Sequence, residues 1–453
     1  MEEALGWAGF LCGLAGSLVL MSERGYRDGM RIAWFIATLA IPAWFAVKFR
    51  SVTFDTVSGV ALGVLIATLF RPFSGLRTRW VLSDLLIGAV VLTAYASDVV
   101  NRALIPGTML DVIRVWILPY LIGRLCVDSW NQMDRTLRLI FVLAAALSAF
   151  AMIEAVTKTN ILATLSGKKW DILDRGEGYR WGLKRAQAIT NHPIYFGLLI
   201  ALTLPWLLVG ARAAMKHEAP RLWTAVPVMA VGAAFVTVAR SAHLAILMVF
   251  LSDQFFRRPN YRMPMIVIAV GGAAVFFVFR EQILDLLSAY AGEADVGDEK
   301  VKIYGVEYDY TGTRHRDLLV LAYDEAIDRA GWFGYGTIFP SDKVPVDAFM
   351  DPRFKSVDHQ YLLHYLKYGY LGTAAFIAFA ASAAWNLARE AIARDGPWSD
   401  LAAGLFGAFV AVMIMVRGVA ILPDFGAMWL FVAGVAATLR ARRLASGVAR
   451  SPV

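Results

Sequence analysis

Charge is scarce in this chain. Of its 453 residues only 18% are Asp, Glu, Lys or Arg, against about 25% in a soluble globular protein. Cysteine is scarcer still: Cys12 and Cys126 both lie in apolar stretches without metal-ligand spacing, which supports neither a disulfide framework nor a structural zinc site. The patterns GxxxxGKS/T, HExxH and GxSxG do not occur, so no P-loop, zincin site or nucleophile elbow is encoded. No set of His, Cys, Asp or Glu has convincing ligand spacing, so no metal and no cofactor is expected. No repeat of fixed period emerges either. The basic residues fall in short turns, which argues against a nucleic-acid partner.

What the chain has in abundance is apolar surface. Hydrophobic residues make up 58% of it and the mean hydropathy is +0.56. Fourteen Trp, 16 Tyr and 27 Phe suit aromatic belts at two membrane–water interfaces. The expected fold class is an all-α integral membrane protein. A span needs about 20 mainly apolar residues, and such segments recur at 4–21, 30–47, 56–70, 80–97, 110–125, 135–157, 189–210, 222–239, 242–256, 263–280, 369–388, 400–417 and 419–438. The reading is a bundle of about 12–13 transmembrane helices, with 4–21 counted as a span and not as a cleaved leader.

Charge sign orders these segments. Residues 281–358 carry 16 acidic and 8 basic side chains, a net of 8 − 16 = −8. Cytoplasmic turns collect Lys and Arg. The acidic stretch therefore reads as an external loop domain, while the turns at Arg71/Arg77/Arg79, Arg124/Arg135/Arg138, Arg212/Lys216/Arg221 and Arg257/Arg258/Arg262 read as internal. The expected organisation is a bundle over 1–280, the external domain 281–358, further spans over 359–439 and a basic internal tail, 440–453. The loop 158–188 also falls outside although it is basic: either the flanking spans force it across or the span count is off by one, or it attracts an anionic partner near the outer surface. Within the external domain, 313–330 places Leu318, Leu319, Ala322 and Ala326 at helical spacing, predicting one amphipathic helix that lies on the membrane or caps the bundle.

Ionisable groups at the ends of spans are costly, and each is a candidate. Arg240 and His243 interrupt the apolar run 222–256; a snorkelling arginine at a tight turn explains them as readily as a bound anion. Arg114 lies near the outer end of 110–125 and invites the same two explanations. His192 precedes Pro193 at a helix start, where a cap suffices. His359, next to Asp358, opens VDHQYLLHYLKYGYLG, with Leu362, Leu363 and Leu366 at i+3, i+4 and i+7, so it tops an apolar face expected to enter the bundle. There a His can take a hydroxyl proton near neutral pH, and the plain explanation is a histidine that caps the helix. His364, five residues on, points about 140° away.

Four segments, in order, carry a family likeness. They are RAQAITNHPIYFGLLIAL (185–202), TVARSAHLAIL (237–247), GTRHRDLLVLAYDEAIDRAGWFGYG (312–336) and DHQYLLHYLKYGYLGTAAF (358–376). Together they resemble the O-antigen ligase/polymerase superfamily of bacterial membrane glycosyltransferases, over roughly residues 110–390. Gln360 stands where that family usually has Asn, and Ala239 replaces a hydroxyl residue before Arg240. The resemblance implies a GT-C-like enzyme of the inner membrane. It would transfer a glycan from undecaprenyl diphosphate to an acceptor hydroxyl at the periplasmic face, the acceptor being a glycan, lipid A-core or a protein. It implies Arg185, Arg240 and Arg314 on the donor diphosphate, where planar guanidinium groups serve without a metal. His359 would be the base, Asp358 its orienter, and Arg114, His192 and His315 are further candidates. The other classes in view are a lipid-linked saccharide flippase or transporter and, within the superfamily, a protein O-oligosaccharyltransferase.

Overall fold

The structure is a computed structural model. It describes residues 2–49, 52–70, 79–102, 104–126, 130–167, 179–180, 182–216, 222–279, 282–283, 300–310, 314–338, 344, 354–394, 396–421 and 423–448. Helix α1 (Glu2–Arg24) turns at Gly25 into α2 (Tyr26–Leu39), and a hairpin of β1 (Ala46–Phe49) and β2 (Val52–Asp55) leads to α3 (Thr56–Leu69). Next come α4 (Leu82–Val100), α5 (Pro106–Cys126), α6 (Trp130–Thr157) and the short α7 (Ile161–Ser166). A second hairpin, β3 (Tyr179–Arg180) with β4 (Leu183–Lys184), precedes α8 (Pro193–Lys216), α9 (Leu222–Phe235), α10 (Arg240–Arg257) and α11 (Arg262–Val278). The third hairpin, β5 (Lys300–Ile303) with β6 (Val306–Asp309), opens a small region with α12 (His315–Ala322) and α13 (Asp324–Ala330). Three long helices close the chain: α14 (Gln360–Ala393), α15 (Pro397–Met415) and α16 (Pro423–Val448).

All thirteen apolar segments coincide with helices. Among the described residues, six helices are long and apolar enough to cross a membrane, within α1, α4, α6, α8, α14 and α15. The chain is thus an all-α protein of multi-pass membrane character. The segment 30–47 ends early: its helix stops at Leu39 and Ala46–Phe49 pairs with Val52–Asp55 instead. Pro42 is the cause, since it supplies no N–H and drives the preceding residue out of the α region.

The interior is aromatic. Trp34, Trp206 and Trp429 are fully buried; Trp34 stacks on Phe431 at 5.5 Å between ring centroids and Phe409 on Trp429 at 4.7 Å. A smaller second core joins Val301, Leu318, Leu319, Ala322, Tyr323, Ala326 and Phe354 to Leu362 and Leu366 of α14. It spans the boundary drawn at 358/359. The Leu362/Leu366 face of α14 therefore packs under α12 and α13, and not into the main bundle as expected of the face beneath His359; the other face, with Tyr361, His364 and Tyr368, enters the bundle.

The expected single helix over 313–330 is two, broken at Tyr323, which is buried and donates to the Phe354 carbonyl at 3.0 Å. The break lets both short helices turn their apolar faces onto one core.

Glycine explains how this region docks. α14 kinks at Gly369, φ 64°, ψ −160°, freeing the carbonyls of Leu366 and Lys367. Those carbonyls accept from the N–H groups of Tyr335 and Gly336 at 2.8 and 2.9 Å, while Tyr370 N–H donates to Gly331 at 3.1 Å. Gly334 (φ 66°) lies on the Leu366–Lys367 backbone and Gly369 on that of Gly331–Phe333, so close that a Cβ on either would fall within 3.0 Å of main-chain atoms. Only glycine fits both demands.

Side-chain contacts define two ends of the bundle. One gathers 46–55, 101–111, 184–192, 236–240, 331–337, 359–360 and 416–421, joined by bonds such as Ala43 N–H to Ile189 O and Asn101 Nδ2 to Gly334 O. The other holds Arg124 paired with Asp84 at 2.8 Å, Arg31 with Asp28, Arg212 with Asp253 and Arg443 with Glu390. Among the described residues, the basic turns at Arg124, Arg212 and Arg257 fall at this second end. Arg71, Arg77, Arg221, residues 168–178 of the loop 158–188 and much of 281–353 lie outside the described residues.

Candidate functional site

The first cluster forms around α14. His359 is its N-cap, in extended backbone, and its Nδ1 accepts the Leu362 N–H at 3.1 Å. The capping role that sequence offered as the plain explanation is therefore present. It also fixes the tautomer: in a neutral ring whose Nδ1 accepts, Nε2 carries the hydrogen. His359 is half-buried, and burial holds its pKa below the ordinary histidine value. The positive charges of Arg417, then Arg316, push the same way; its backbone hydrogen bond and Asp317 oppose them. Asp358 is exposed and accepts from the Ser356 hydroxyl at 2.9 Å. Among the described contacts it does not orient His359; the Leu362 N–H does.

Arg316 and Arg417 were not among the sequence candidates. Arg316 starts α12 two residues after Arg314 and donates to the Gly418 carbonyl at 3.3 Å. Arg417, in the α15–α16 loop, pairs with Asp317 at 3.4 Å. One signal was available: Arg417 interrupts the apolar run 400–438 much as Arg240 interrupts 222–256. Arg314 itself is exposed at the N-cap of α12, where its carbonyl accepts from Asp317 and Leu318. His315 stacks on Phe354 at 5.5 Å and its Nδ1 lies 3.2 Å from the Tyr310 hydroxyl, a packing role.

The second cluster lies across the α15–α16 loop from the first. Arg185 is buried; its Nε donates to the Thr237 carbonyl at 3.3 Å, and Ala186 N–H donates to Val236 at 3.0 Å. The segment carrying Arg185 is thereby laid against the turn that delivers Arg240 to the first residue of α10. A buried ion pair holds that segment in place. Lys184 Nζ lies 3.1 Å from Glu154, whose other oxygen accepts from Asn160 and from the N–H groups of Gln187 and Ala188 at 3.1, 3.3 and 2.8 Å. His192 caps α8 through Nδ1, which accepts the Ile194 N–H at 3.1 Å. His243 stacks on Phe235 at 4.6 Å.

The clusters meet through α16. Tyr195, beside His192, packs on Phe425 at 5.5 Å, and Ile421 N–H donates to Gln360 Oε1 at 2.8 Å. Arg114 stands apart: Asp55 and Asp111 neutralise it at 3.0 and 2.9 Å, and it lines a small pocket with Asp55, Trp116 and Ile421. Neither snorkelling nor anion binding is needed to explain it. His364 is buried against Trp116, Tyr368 and Phe376, with ring centroids 5.7, 4.8 and 4.8 Å away, so it packs. Among the described residues no three His, Cys, Asp or Glu side chains converge on one point. Comparison with models of known protein families finds no match, and comparison with curated proteins finds none at significance.

Proposed function

We propose that the chain transfers a glycan from undecaprenyl diphosphate to an acceptor hydroxyl, at the membrane face formed by the end of the bundle that holds both clusters. One observation carries this reading: a half-buried histidine with depressed proton affinity stands beside Arg316 and Arg417, and Arg185 is laid against the turn that delivers Arg240. A diphosphate leaving group needs its developing charge neutralised, and guanidinium groups do this with fixed paired donors. Arg185, Arg240 and Arg314 take the donor diphosphate in this account, joined by Arg316 and Arg417. The family resemblance supplies the substrate class and the outward, periplasmic orientation.

In the step, the acceptor oxygen bonds to the anomeric carbon as the bond from that carbon to the diphosphate oxygen breaks, with inversion. The hydroxyl proton passes to His359. Since Nδ1 is occupied by the Leu362 N–H, the step includes release of that cap; Nδ1 then takes the proton while Nε2 keeps its own. Losing a cap costs about 1 kcal/mol, small beside the gain from a positioned base, about 10²–10⁴-fold. The resulting imidazolium is balanced by the departing diphosphate.

The test is transfer by purified protein from a lipid-linked oligosaccharide to glycan, lipid A-core or protein acceptors, each offered separately. Product from one of them, undiminished by a chelator, is expected. No product from any acceptor, or activity lost to chelator and restored by magnesium, would overturn the proposal.

A further inference from the structure

Gln360, next to the proposed base, is bonded through both its backbone and its side chain and has no part in the chemistry above. It is 5% exposed. Its backbone N–H donates to the Val416 carbonyl at 2.8 Å, and its Oε1 accepts the Ile421 N–H at 2.8 Å. One residue thus grips both ends of the 416–421 loop. The far side of its amide faces inward, where Nε2 lies 3.5 Å from His364 Nδ1. His364 is wedged among Trp116, Tyr368 and Phe376, so the grip is anchored in aromatic packing. Inside the gripped loop stand Arg417 and Gly418, and the Gly418 carbonyl is the acceptor of Arg316.

We infer that Gln360 is a positioning residue: by clamping the 416–421 loop it sets where Arg417, and through Gly418 also Arg316, stand relative to the His359 ring. The backbone bond to Val416 survives any substitution, whereas the Ile421 bond depends on the side chain. A residue without the amide leaves the half-buried Ile421 N–H unpaired, and the loop shifts to satisfy it. Arg417 goes with it. The groups facing His359 are Arg417 from the loop, Arg316 and Asp317 from α12, Tyr361 on its own helix and the adjacent Asp358. Of these, Arg417 depends most directly on the clamp. The inference rests on the proposed function for its catalytic meaning, but not for its geometry.

The experiment replaces Gln360 with Met, similar in volume and unable to accept the Ile421 N–H. Two quantities are read in nanodiscs: the titration midpoint of His359, followed by NMR of histidine-labelled protein and assigned with a His359→Asn sample, and the rate of transfer. In Gln360→Met the midpoint should rise toward the ordinary histidine value, and transfer should fall about 10–100-fold, as for a misplaced group. Arg417→Gln should raise the midpoint as well. The double variant Gln360→Met/Arg417→Gln should titrate like Arg417→Gln alone, because the clamp acts through the arginine. An unmoved midpoint in Gln360→Met, or additive shifts in the double variant, would overturn the inference. If Gln360→Met is not recovered folded, Gln360→Asn, whose amide is one methylene too short to reach the Ile421 N–H, is read by the same criteria. Wild-type protein without transfer activity would reject the proposed function, yet the titrations would still decide the clamp.

Discussion

At the scale of single residues, His359 is asked to do two things, and they can be separated. Asn is among the best N-cap residues, and it cannot serve as a base. His359→Asn should therefore fold and melt like the parent, bind lipid-linked donor, and lose about 10²–10⁴-fold in transfer. Full activity in that variant would mean that the residue only caps α14. The pH dependence follows from the same ring. Burial and the flanking arginines lower its proton affinity, so the neutral, competent form persists below the usual histidine range. Activity should fall only once the pH drops past that lowered value. In Arg417→Gln the fall should begin at a higher pH, seen as a displaced acid limb in kcat/KM. An acid limb at the same pH in both proteins would remove Arg417 from the site. These arginines show the reach of sequence. Arg240 was legible because it breaks an apolar run. Arg316 gains meaning only from Gly418, about a hundred residues on, and no local pattern encodes that pairing.

At the scale of elements, the helices were readable and their junctions were not. Hydropathy located each apolar segment, since burial and lipid make the same demand on composition. It placed Leu318, Leu319, Ala322 and Ala326 on a buried face but did not show the break at Tyr323. Nor did it reveal that Gly334 and Gly369 seat one backbone on another. That junction gives a direct test. Gly369→Ala forces a positive φ on an alanine and drives its Cβ into the Gly331–Phe333 main chain, so a loss of at least about 1–3 kcal/mol is expected. Thermal melting in detergent measures it. The Glu154–Lys184 pair is a second junction, tying β4 to α6 at 2% exposure or less. Lys184→Met leaves a buried carboxylate without its cation and should cost about 3–5 kcal/mol. Glu154→Gln/Lys184→Met, which removes both charges, should recover part of that loss; if it melts no higher than the single variant, the charge pair is not what holds the segment.

At the scale of the whole molecule, the question is which end of the bundle faces outward. At one end the arginines Arg124, Arg212 and Arg443 are matched to carboxylates on neighbouring helices, as basic turns are when they anchor spans on the side where positive charge collects. At the other end Arg185 and Arg316 donate to backbone carbonyls, while Arg114, Lys184 and Arg417 pair with carboxylates. The acidic balance of 281–358 is what predicts that this end faces outward. Labelling tests it in intact cells, in a background with Cys12 replaced by Ser because Cys12 is exposed whereas Cys126 is buried. A cysteine introduced for the exposed Lys302, on β5, should react with a membrane-impermeant maleimide. One introduced for the exposed Arg258, at the opposite end, should react only after the membrane is opened. The reverse order would place His359 and its arginines in the cytoplasm. An external lipid-linked donor could not reach them there, and the transfer reaction would have to be abandoned even if every helix stands where it is drawn.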